Sequence, residues 1–424
     1  MAKNDIIGLF CFGKEIGRIG FDEDRRTSTF QYHPDFLKAG DYSKLFPFII
    51  KHTATAQLFN KYNNESFKGL PPMIADSLPD TFGNIIFKAW MENNHKDFER
   101  ISIVEQLAYV GNRGMGALEY RPGKSIPKNA NINLDEITDV LSRVLDQKSH
   151  TSGEKLDSAA LLNIFKIGTS AGGARPKVLI SQHKVTAMLI PGDLEYSADY
   201  EHYLVKLYIP ETEYPYNRQT VEYCYYLTAI ELGITMMPSK LIEEKHFATL
   251  RFDRQDGKKK HILTASGMTG WDFKDPVVSS YENLFELAVN LKISPKQIDE
   301  LYKRMVFNVV FFNIDDHLKN HSFIYDEEYD RWDLSPAYDL TYALNAVIRV
   351  IRVNRVMSIN GKRKDISLND LLSVAEKFTV KKAKQIIESV QNAIPFWLQQ
   401  ARTYEIPENV ITEMQKDFIR FEVK

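Results

Sequence analysis

A short polar segment that follows a strongly apolar stretch carries side chains suited to catalysis. Residues 313–324 read NIDDHLKNHSFI, which places Asp315 five positions before Asn320. Kinases use an aspartate to accept the proton of the substrate hydroxyl and, five residues later, an asparagine that holds Mg²⁺. The spacing therefore points to phosphoryl transfer. Taken alone the pattern is common in chains of this length, and an Asp-rich loop is often only a cap or a turn.

A second magnesium ligand is expected further along the chain. In PAYDL, Asp339 follows a predicted hairpin over residues 322–334, the place where kinases carry an aspartate that holds Mg²⁺. Carboxylate and amide oxygens suit a hard cation that is shared with nucleotide phosphates. Asn320 and Asp339 are accordingly the candidate metal ligands.

Other metal chemistry has less support. His317 could join Asp315 and Asp316 as a ligand, but no further His or Cys pair accompanies them, so a hydrogen-bonding role in the loop is favoured. The two cysteines, Cys11 and Cys224, have neither zinc-site spacing nor a disulfide framework. They are expected to be small buried hydrophobes in a reducing compartment.

A glycine-rich segment upstream could cradle phosphates. Residues 168–177 read GTSAGGARPK, and glycines let backbone N–H groups approach phosphates without obstruction by a Cβ atom. The segment is not a Walker A motif and lacks G-x-G-x-x-G spacing, so a glycine-rich β-turn is the alternative. The candidate nucleotide-binding residues here are Gly168, Thr169, Ser170, Ala171, Gly172, Gly173 and Lys177.

A lysine stands inside an apolar strand, YLVKL, at position 206. A buried ammonium is costly unless it meets negative charge, and kinases place such a lysine between the nucleotide phosphates and a helix glutamate. Glu222, in the next predicted helix, is the candidate partner of Lys206. Alternatively, Lys206 lies at a sheet edge and reaches water.

The order of these weak signals is more informative than any one of them. The glycine-rich loop, Lys206, Glu222, the Asp315 to Asn320 motif and Asp339 follow one another as a two-lobed kinase requires. Five such signals in the right order rarely arise by chance.

The elements that must position these residues are mainly strands in the first part of the chain and mainly helices in the last part. This order predicts an α+β fold of two lobes. Helical spacing and capping residues predict helices over 85–93, 134–146, 219–232, 281–291, 294–312, 368–377, 380–400 and 411–421. Strands are predicted within 6–32, 177–190, 203–208 and 241–252. The predicted domains are an N-terminal subdomain over 1–122, a strand-rich kinase lobe over 123–255 and a helical lobe over 256–424.

Composition limits the remaining function classes. The 424 residues carry 54 Lys and Arg against 56 Asp and Glu, a formal charge of -2, so a dedicated nucleic-acid or anionic-membrane binder is not expected. Basic patches at 258–260 and 362–364 are more simply solvated loops. No apolar run approaches the ~20 residues that span a bilayer, and the start is unlike a signal peptide. A soluble, cytoplasmic protein is expected.

Several motifs together resemble the HipA-type serine/threonine kinases, the toxins of bacterial toxin–antitoxin modules linked to growth arrest and persistence. They are GLPPMIADSLPDTFGN and GNRGMGALEY in the N-terminal part, and then TSAGGARPK, YLVKL, LRFDR, NIDDHLKNHSF, LSPAYDL and SINGK. The resemblance spans nearly the whole chain. It implies a protein-kinase-like, HipA-type fold with a strand-rich N-terminal lobe, an extra N-terminal subdomain and a helical C-terminal lobe.

The resemblance also implies roles for single residues. Asp315 is expected as the catalytic base, Asn320 and Asp339 as Mg²⁺ ligands, and Lys206 at the ATP phosphates. His317 and Lys319 join them in the nucleotide site, and Arg251 and Phe252 are expected at the hinge, where backbone groups and a ring meet adenine. Ser170, or else Thr169, corresponds to the serine that family members autophosphorylate. Leu340 and Thr341 replace the Phe-Gly pair of eukaryotic kinases, so an activation-loop switch of that kind is not expected.

The expected function is an ATP- and Mg²⁺-dependent protein kinase that arrests growth by phosphorylating a cellular protein, and the resemblance suggests aminoacyl-tRNA synthetases as the target class. A HipB-like helix-turn-helix antitoxin is the expected partner, with DNA contacted only through it. Two alternatives remain open: a catalytically silent ATP-binding corepressor, and a kinase for a lipid or small molecule.

Overall fold

The computed structural model describes residues 5–94, 97–124, 133–146, 175–192, 197–210, 216–343 and 354–423. The strands of the described residues are β1 Asp5–Cys11, β2 Lys14–Asp22, β3 Thr27–Tyr32, β4 Gln57–Phe59, β5 Glu119–Arg121, β6 Lys177–His183, β7 Leu189–Pro191, β8 Tyr200–Lys206, β9 Ser239–Ile242, β10 His246–Leu250, β11 Arg254–Gln255, β12 Lys258–Lys259, β13 Ile262–Thr264, β14 Ser322–Asp326 and β15 Arg331–Leu334. The helices are α1 Pro34–Ala39, α2 Pro72–Ala75, α3 Thr81–Asn93, α4 Ile103–Val110, α5 Leu134–Asp146, α6 Arg218–Glu231, α7 Ala265–Thr269, α8 Tyr281–Asn290, α9 Pro295–Val310, α10 Leu368–Lys377, α11 Ala383–Asn392, α12 Ile394–Thr403 and α13 Glu408–Asp417.

The first sheet has the strand order β4-β3-β2-β1-β5 and is antiparallel throughout. β1 and β2 form a hairpin whose turn holds Phe12 and Gly13 at positive φ, which favours glycine at the second position. In β3 buried and accessible residues alternate, so one face joins the core while the other meets solvent. β5 returns from residue 119 to close the sheet beside β1.

The second sheet has the order β7-β6-β8-β10-β9. α6 packs on it, capped by the Asn217 side chain, which accepts hydrogen bonds from two backbone N–H groups of its first turn. On the sheet's other side, the apolar face of α5 joins a cluster with α3 and the strands. Its members include Phe82, Ile137, Val178 and Val205. The sheet that carries Lys177 and Lys206 is therefore held between helices from two parts of the chain.

The C-terminal part is mainly helical. α9 begins after Ser294, whose hydroxyl accepts from the Gln297 N–H, with Pro295 in its first turn. The single helix predicted over 380–400 is wrong, because the chain forms α11 and α12 with a break at Ala393. Pro395 lies in the first turn of α12, where its missing N–H costs no hydrogen bond. The last predicted helix starts at Glu408, three residues earlier than expected.

A third sheet, β13-β14-β15, joins the C-terminal part to the N-terminal one. Asp330, in the turn between β14 and β15, accepts hydrogen bonds from the Ser43 hydroxyl and the Lys44 N–H. The Trp332 indole donates to the Lys44 carbonyl at 2.7 Å. The buried apolar residues of the N-terminal sheet and the C-terminal helices belong to one continuous cluster.

The predicted α+β class, with strands first and helices last, is confirmed. The division of the chain at residues 122 and 255 stays a prediction. No helix of the described residues is long and apolar enough to cross a bilayer.

Candidate functional site

A buried lysine between two carboxylates is the electrostatic centre of the main cleft. Lys206, at the end of β8, donates to Glu222 of α6 at 2.5 Å and also contacts Asp339. Burial alone would lower the pKa of Lys206, but Asp339 and Glu222 outweigh it and raise that pKa. Burial would raise the pKa of Asp339, yet Lys206 and Lys177 hold it well below its ordinary value. The site therefore carries a fixed cation and an ionised carboxylate.

A second lysine lies beside the first. Lys177 of β6 pairs in register with Lys206 of β8, so the two side chains stand next to each other on one face of the sheet. Burial lowers the pKa of Lys177, and the charge of Asp339 opposes this. Among the described residues, no side chain or backbone group forms a hydrogen bond with its ammonium. Two adjacent cations in a cleft favour a ligand with several negative charges.

The Asp-rich segment follows α9 in a turn that holds Phe312 at positive φ. Its two aspartates face different surroundings. Asp315 is solvent-exposed, and its carboxylate has no hydrogen-bonding partner among the described residues. The protein atoms around it raise its pKa by desolvation; His317 opposes the rise, and the charge of Asp339 adds to it. A reachable carboxylate with a raised pKa is suited to accept a proton.

Asp316, the next residue, is buried and anchors the loop. Its carboxylate accepts hydrogen bonds from the Tyr281 hydroxyl at 2.7 Å and from the Arg355 guanidinium at 2.6 Å. Asn313 ties the same loop to Asp339, because its amide donates to the Asp339 carbonyl oxygen at 3.1 Å. Neither Tyr281 nor Arg355 was identified from the sequence, since ordinary residue types far apart in the chain give no spacing signal. Asn313 opens the segment singled out in the sequence, but no role was predicted for it.

The two candidate magnesium ligands both line the cleft. The Asn320 amide nitrogen donates to the Asp315 carbonyl oxygen at 2.9 Å, which leaves the amide oxygen as the atom for a cation. No group of three or more His, Cys, Asp or Glu side chains that could hold a metal occurs in the described residues. A pair of oxygen ligands fits Mg²⁺, which keeps waters and phosphates as its other ligands. It does not fit a cation that needs a full protein cage.

His317 does not form a cluster with the two aspartates, because Asp316 is committed to Tyr281 and Arg355. Its ring lies 5.2 Å from that of Phe273, and its Nδ1 is buried without a hydrogen-bonding partner. His317 and its neighbour Lys319 both line the cleft. Their contact with a nucleotide stays a prediction.

The hinge residues lie where the second sheet leads into the C-terminal part. The Arg251 N–H donates to the His202 carbonyl oxygen at 2.8 Å, and its guanidinium binds Asp253. Phe252 lines the cleft and its ring stacks on Tyr338 at 6.0 Å. Because the Arg251 backbone N–H, Nε and Nη2 bind groups within the protein and Phe252 lines the cleft, Phe252 is the better placed of the two for a ligand ring.

The Asp253 carboxylate accepts hydrogen bonds from several groups at once, a role that was not identified from the sequence. Arg251 and Arg254 both donate to its fully buried carboxylate, and so does the Gly116 N–H at 2.8 Å. The Arg254 guanidinium also donates to the Gly114 carbonyl oxygen at 2.8 Å. Burial opposes ionisation, but the two arginines hold the pKa of Asp253 well below its usual range. The N-terminal loop is thereby fixed to the hinge.

A second wall of the cleft comes from the N-terminal part, through α2 and the start of α3. Asp76 accepts from both the N–H and the hydroxyl of Thr264 at 2.9 Å, and a Cβ atom on Gly267 would lie 2.5 Å from its carboxylate oxygen. Asp80 binds the Lys319 ammonium at 2.7 Å. These contacts bring the motif IADSLPD beside the Asp315 loop.

The cleft enclosed by these walls has a volume of about 290 Å³. Its charged end holds Lys177, Lys206, Asn320 and Asp339. Apolar side chains also line the cleft, and they include Leu204, Met236, Met237, Phe247 and Leu250. A ligand with an apolar ring and a polyanionic tail fits such a lining.

Six predicted nucleotide contacts of the glycine-rich segment lie outside the described residues: Gly168, Thr169, Ser170, Ala171, Gly172 and Gly173. The assignment of Ser170 or Thr169 as a modified hydroxyl therefore stays a prediction. Lys177, at the end of that segment, is described and faces the cleft.

Comparison with protein-family models gives two matches. Residues 9–121 match the HipA N-terminal domain, and residues 169–397 match the HipA-like C-terminal domain. No curated protein sequence matches the chain.

A solved structure that aligns over nearly the whole chain supports the fold. A chain from the Shewanella oneidensis MR-1 toxin–antitoxin system of HipA, HipB and operator DNA aligns with a TM-score of 0.62 at 16% identity, covering 97% of this chain and 95% of that one. The Helicobacter pylori proinflammatory kinase CtkA aligns with a TM-score of 0.30 at 14% identity, covering 51% of this chain and 88% of that one.

Proposed function

The chain belongs to the HipA family, and on that premise we propose that it is an ATP- and Mg²⁺-dependent serine/threonine protein kinase that acts as the toxin of a toxin–antitoxin module. The observation that carries the proposal is the meeting of Lys206, Asn320 and Asp339 in the cleft beside the exposed Asp315, whose backbone carbonyl accepts from the Asn320 amide and whose carboxylate is influenced by the charge of Asp339. Protein kinases use these residue types in this order for phosphoryl transfer.

Each side chain has a distinct task in this reaction. ATP, when bound with Mg²⁺, supplies the phosphoryl group. Lys206 and Lys177 neutralise phosphate charge, and Asn320 and Asp339 would hold the cation. Asp315 orients the substrate hydroxyl and takes its proton as the new O–P bond forms, while the bond between the γ-phosphorus and the departing ADP breaks.

The positions of the two lysines explain why a polyanion should stabilise this site. Lys206 shares its charge with Glu222 and Asp339, whereas Lys177 has no hydrogen-bonding partner among the described residues. Nucleotide phosphates would provide that partner, because charge-assisted bonds to a buried ammonium are strong. A neutral ligand would leave the buried Lys177 charge uncompensated.

Autophosphorylation of the glycine-rich segment is the regulation that the family membership suggests. Ser170 is the proposed site, with Thr169 as the alternative hydroxyl. A phosphate adds about two negative charges where the ATP phosphates are proposed to bind. Repulsion would then oppose nucleotide binding and switch the kinase off.

The proposed partner is a HipB-like helix-turn-helix antitoxin, since the Shewanella oneidensis relative is described in complex with HipB and operator DNA. With a formal charge of -2, the chain itself has little electrostatic attraction for DNA. Contact with DNA is therefore proposed to run through the antitoxin. The substrate is a cellular protein, with an aminoacyl-tRNA synthetase as the candidate class.

The test is phosphate transfer by the purified chain, verified as unphosphorylated at the start. The wild type and Asp315→Asn are incubated with γ-labelled ATP and Mg²⁺, alone and with cell extract, and the peptide over 168–177 is analysed by mass spectrometry. Phosphate on Ser170 and on an extract protein in the wild type only is the expected result.

Two other outcomes contradict the proposal. ATP binding without any transfer would favour a silent corepressor that acts with its antitoxin. Label that appears only in small-molecule or lipid products would favour a kinase of another substrate class.

A further inference from the structure

The N-terminal part of the chain contributes a carboxylate that touches the proposed catalytic loop. Asp80 occupies the N-cap position of α3, where an aspartate normally accepts a hydrogen bond from the first backbone N–H groups of the helix. Here its side chain makes no such capping bond. It binds the Lys319 ammonium instead, at 2.7 Å and across 239 residues of sequence.

The contact is sheltered, so it should be stronger than a surface ion pair. The side chains of Lys319 and Asp80 are 17% and 28% exposed. Burial would lower the pKa of Lys319, but Asp80 and Asp76 outweigh it and raise that pKa. The ammonium also lies 5.2 Å from the Phe273 ring, a cation–π contact. Lys319 is therefore held as a permanent cation on the wall of the cleft.

Lys319 is well placed to transmit this restraint to the reacting groups. It precedes Asn320, and both belong to the short 3-10 helix Leu318–Asn320. The Tyr338 hydroxyl donates to the Lys319 carbonyl oxygen at 2.8 Å, next to Asp339. The short helix therefore joins the lysine that Asp80 holds to Asn320, and the Tyr338 hydrogen bond links it to the residue before Asp339.

The segment that carries Asp80 is itself fixed. Asp76, four residues earlier, accepts two hydrogen bonds from Thr264, and Gly267 leaves room for its carboxylate. Since Thr264 belongs to β13, which pairs with β14 directly after the loop, the N-terminal wall and the loop share one support. Asp80 therefore contacts Lys319 from a segment that is itself held by hydrogen bonds to Thr264 of β13.

We propose that Asp80 is a positioning residue for phosphoryl transfer, which acts through Lys319 to hold the Asn320 turn in its productive place. The inference rests on the proposed kinase function and adds a task for the N-terminal subdomain within the reaction itself. Small displacements of positioning groups are known to cost large factors in rate, so the effect should be measurable.

The main variant is Asp80→Asn, which keeps a favourable N-cap residue and removes the negative charge that binds Lys319. Asp80→Ser serves as a second neutral variant with the same capping ability, and Asp80→Glu restores the charge. The matched control is Glu119→Gln. Glu119 binds Lys259 at 2.8 Å, also across the two parts of the chain, with side chains 20% and 14% exposed, but outside the cleft.

The measurements are kcat and the KM for ATP with a protein substrate or by autophosphorylation, together with the thermal unfolding midpoint. Asp80→Asn and Asp80→Ser should lower kcat about tenfold or more, with a much smaller change in KM, because the nucleotide is held chiefly by the strand lysines. Asp80→Glu should recover most of the loss. Glu119→Gln should keep the wild-type kcat while its midpoint falls at least as far as that of Asp80→Asn.

A double-mutant cycle tests whether Asp80 acts through Lys319. Lys319→Gln should lower kcat, and adding Asp80→Asn should cost nothing more, because the two residues act as a unit. Losses that multiply would overturn the inference, as would an Asp80→Asn variant as active as Glu119→Gln. A wild-type chain without transfer would overturn the proposed function and this inference together, whereas the other two results leave the proposed function standing.

Discussion

Asp315 and Asp316 are adjacent in the chain, yet the first faces solvent and the second is buried in an ion pair with Arg355. One carboxylate is therefore available for a reaction and the other for the fold. The same substitution at the two positions should separate these tasks.

Asp315→Asn should reduce phosphoryl transfer by about 10²- to 10⁴-fold, the usual cost of losing a general base, without a change in the unfolding midpoint. Asp316→Asn should destabilise the fold by about 3–5 kcal/mol, because it leaves the buried Arg355 charge uncompensated. Transfer assays and urea unfolding curves on both variants provide the comparison. Equal loss of stability in the two variants would contradict this separation of roles.

Glu222→Gln should weaken ATP binding. The change removes one of the two carboxylates that orient Lys206, while Asp339 still neutralises the ammonium, so the fold should persist. We expect the dissociation constant for ATP with Mg²⁺ to rise about tenfold, or about 1.4 kcal/mol, in a nucleotide displacement titration. Glu300→Gln is the control, since Glu300 pairs with Arg304 outside the nucleotide cleft. Wild-type affinity in Glu222→Gln would rule out the orienting role.

Asp253→Asn should be among the most destabilising single changes in the hinge. The buried Arg251 and Arg254 guanidinium groups would then face a neutral amide, and the Gly116 N–H would lose its charged acceptor. A loss of about 3–5 kcal/mol in the free energy of unfolding is expected. Chemical denaturation measures it, and an unfolding midpoint like that of the wild type would show that Asp253 does not hold the hinge.

Stability should fall on mild acidification, in part because of His261. Burial lowers its pKa to about 3, from an ordinary value of 6.5, and both ring nitrogens lack hydrogen-bonding partners. The unfolded chain therefore binds the proton more readily, so this stability is fully present above pH 6.5 and is lost as the pH falls towards 3. Between pH 7 and 5 the loss from this group is about 2 kcal/mol.

His261→Phe isolates that contribution. Phenylalanine keeps the ring contacts with Phe46 and Trp332 and cannot titrate. The free energy of unfolding of the variant should depend less steeply on pH than that of the wild type over this interval. Parallel pH profiles for the two proteins would show that His261 does not titrate during unfolding.

The elements whose signals are local could be predicted from the sequence. α10 and α5 follow from helical spacing and their predicted bounds agree with the structure, whereas the break at Ala393 was missed although Pro395 marks it. The hairpin before Asp339 was likewise visible as two apolar runs around a polar turn.

The second wall of the cleft could not be predicted in this way. Asp76 and Asp80 look like turn residues in a Pro-rich stretch, and their partners Thr264 and Lys319 lie far along the chain. Asp253 reads as one of many charged residues in a short run. The roles of these side chains depend on packing between segments that are far apart in the chain. A single sequence does not show which distant segments pack together.

The N-terminal wall of the cleft is bound to residues much later in the chain. This determines when the site can form during synthesis. The partners that Gly116, Asp80 and Ser43 require are 137, 239 and 287 residues further along the chain. At about 5–20 residues per second, the ribosome has completed the N-terminal sheet well before it reaches the loop that contains Asp315. The cleft and the contacts that hold its N-terminal wall can therefore form only after most of the chain has been made.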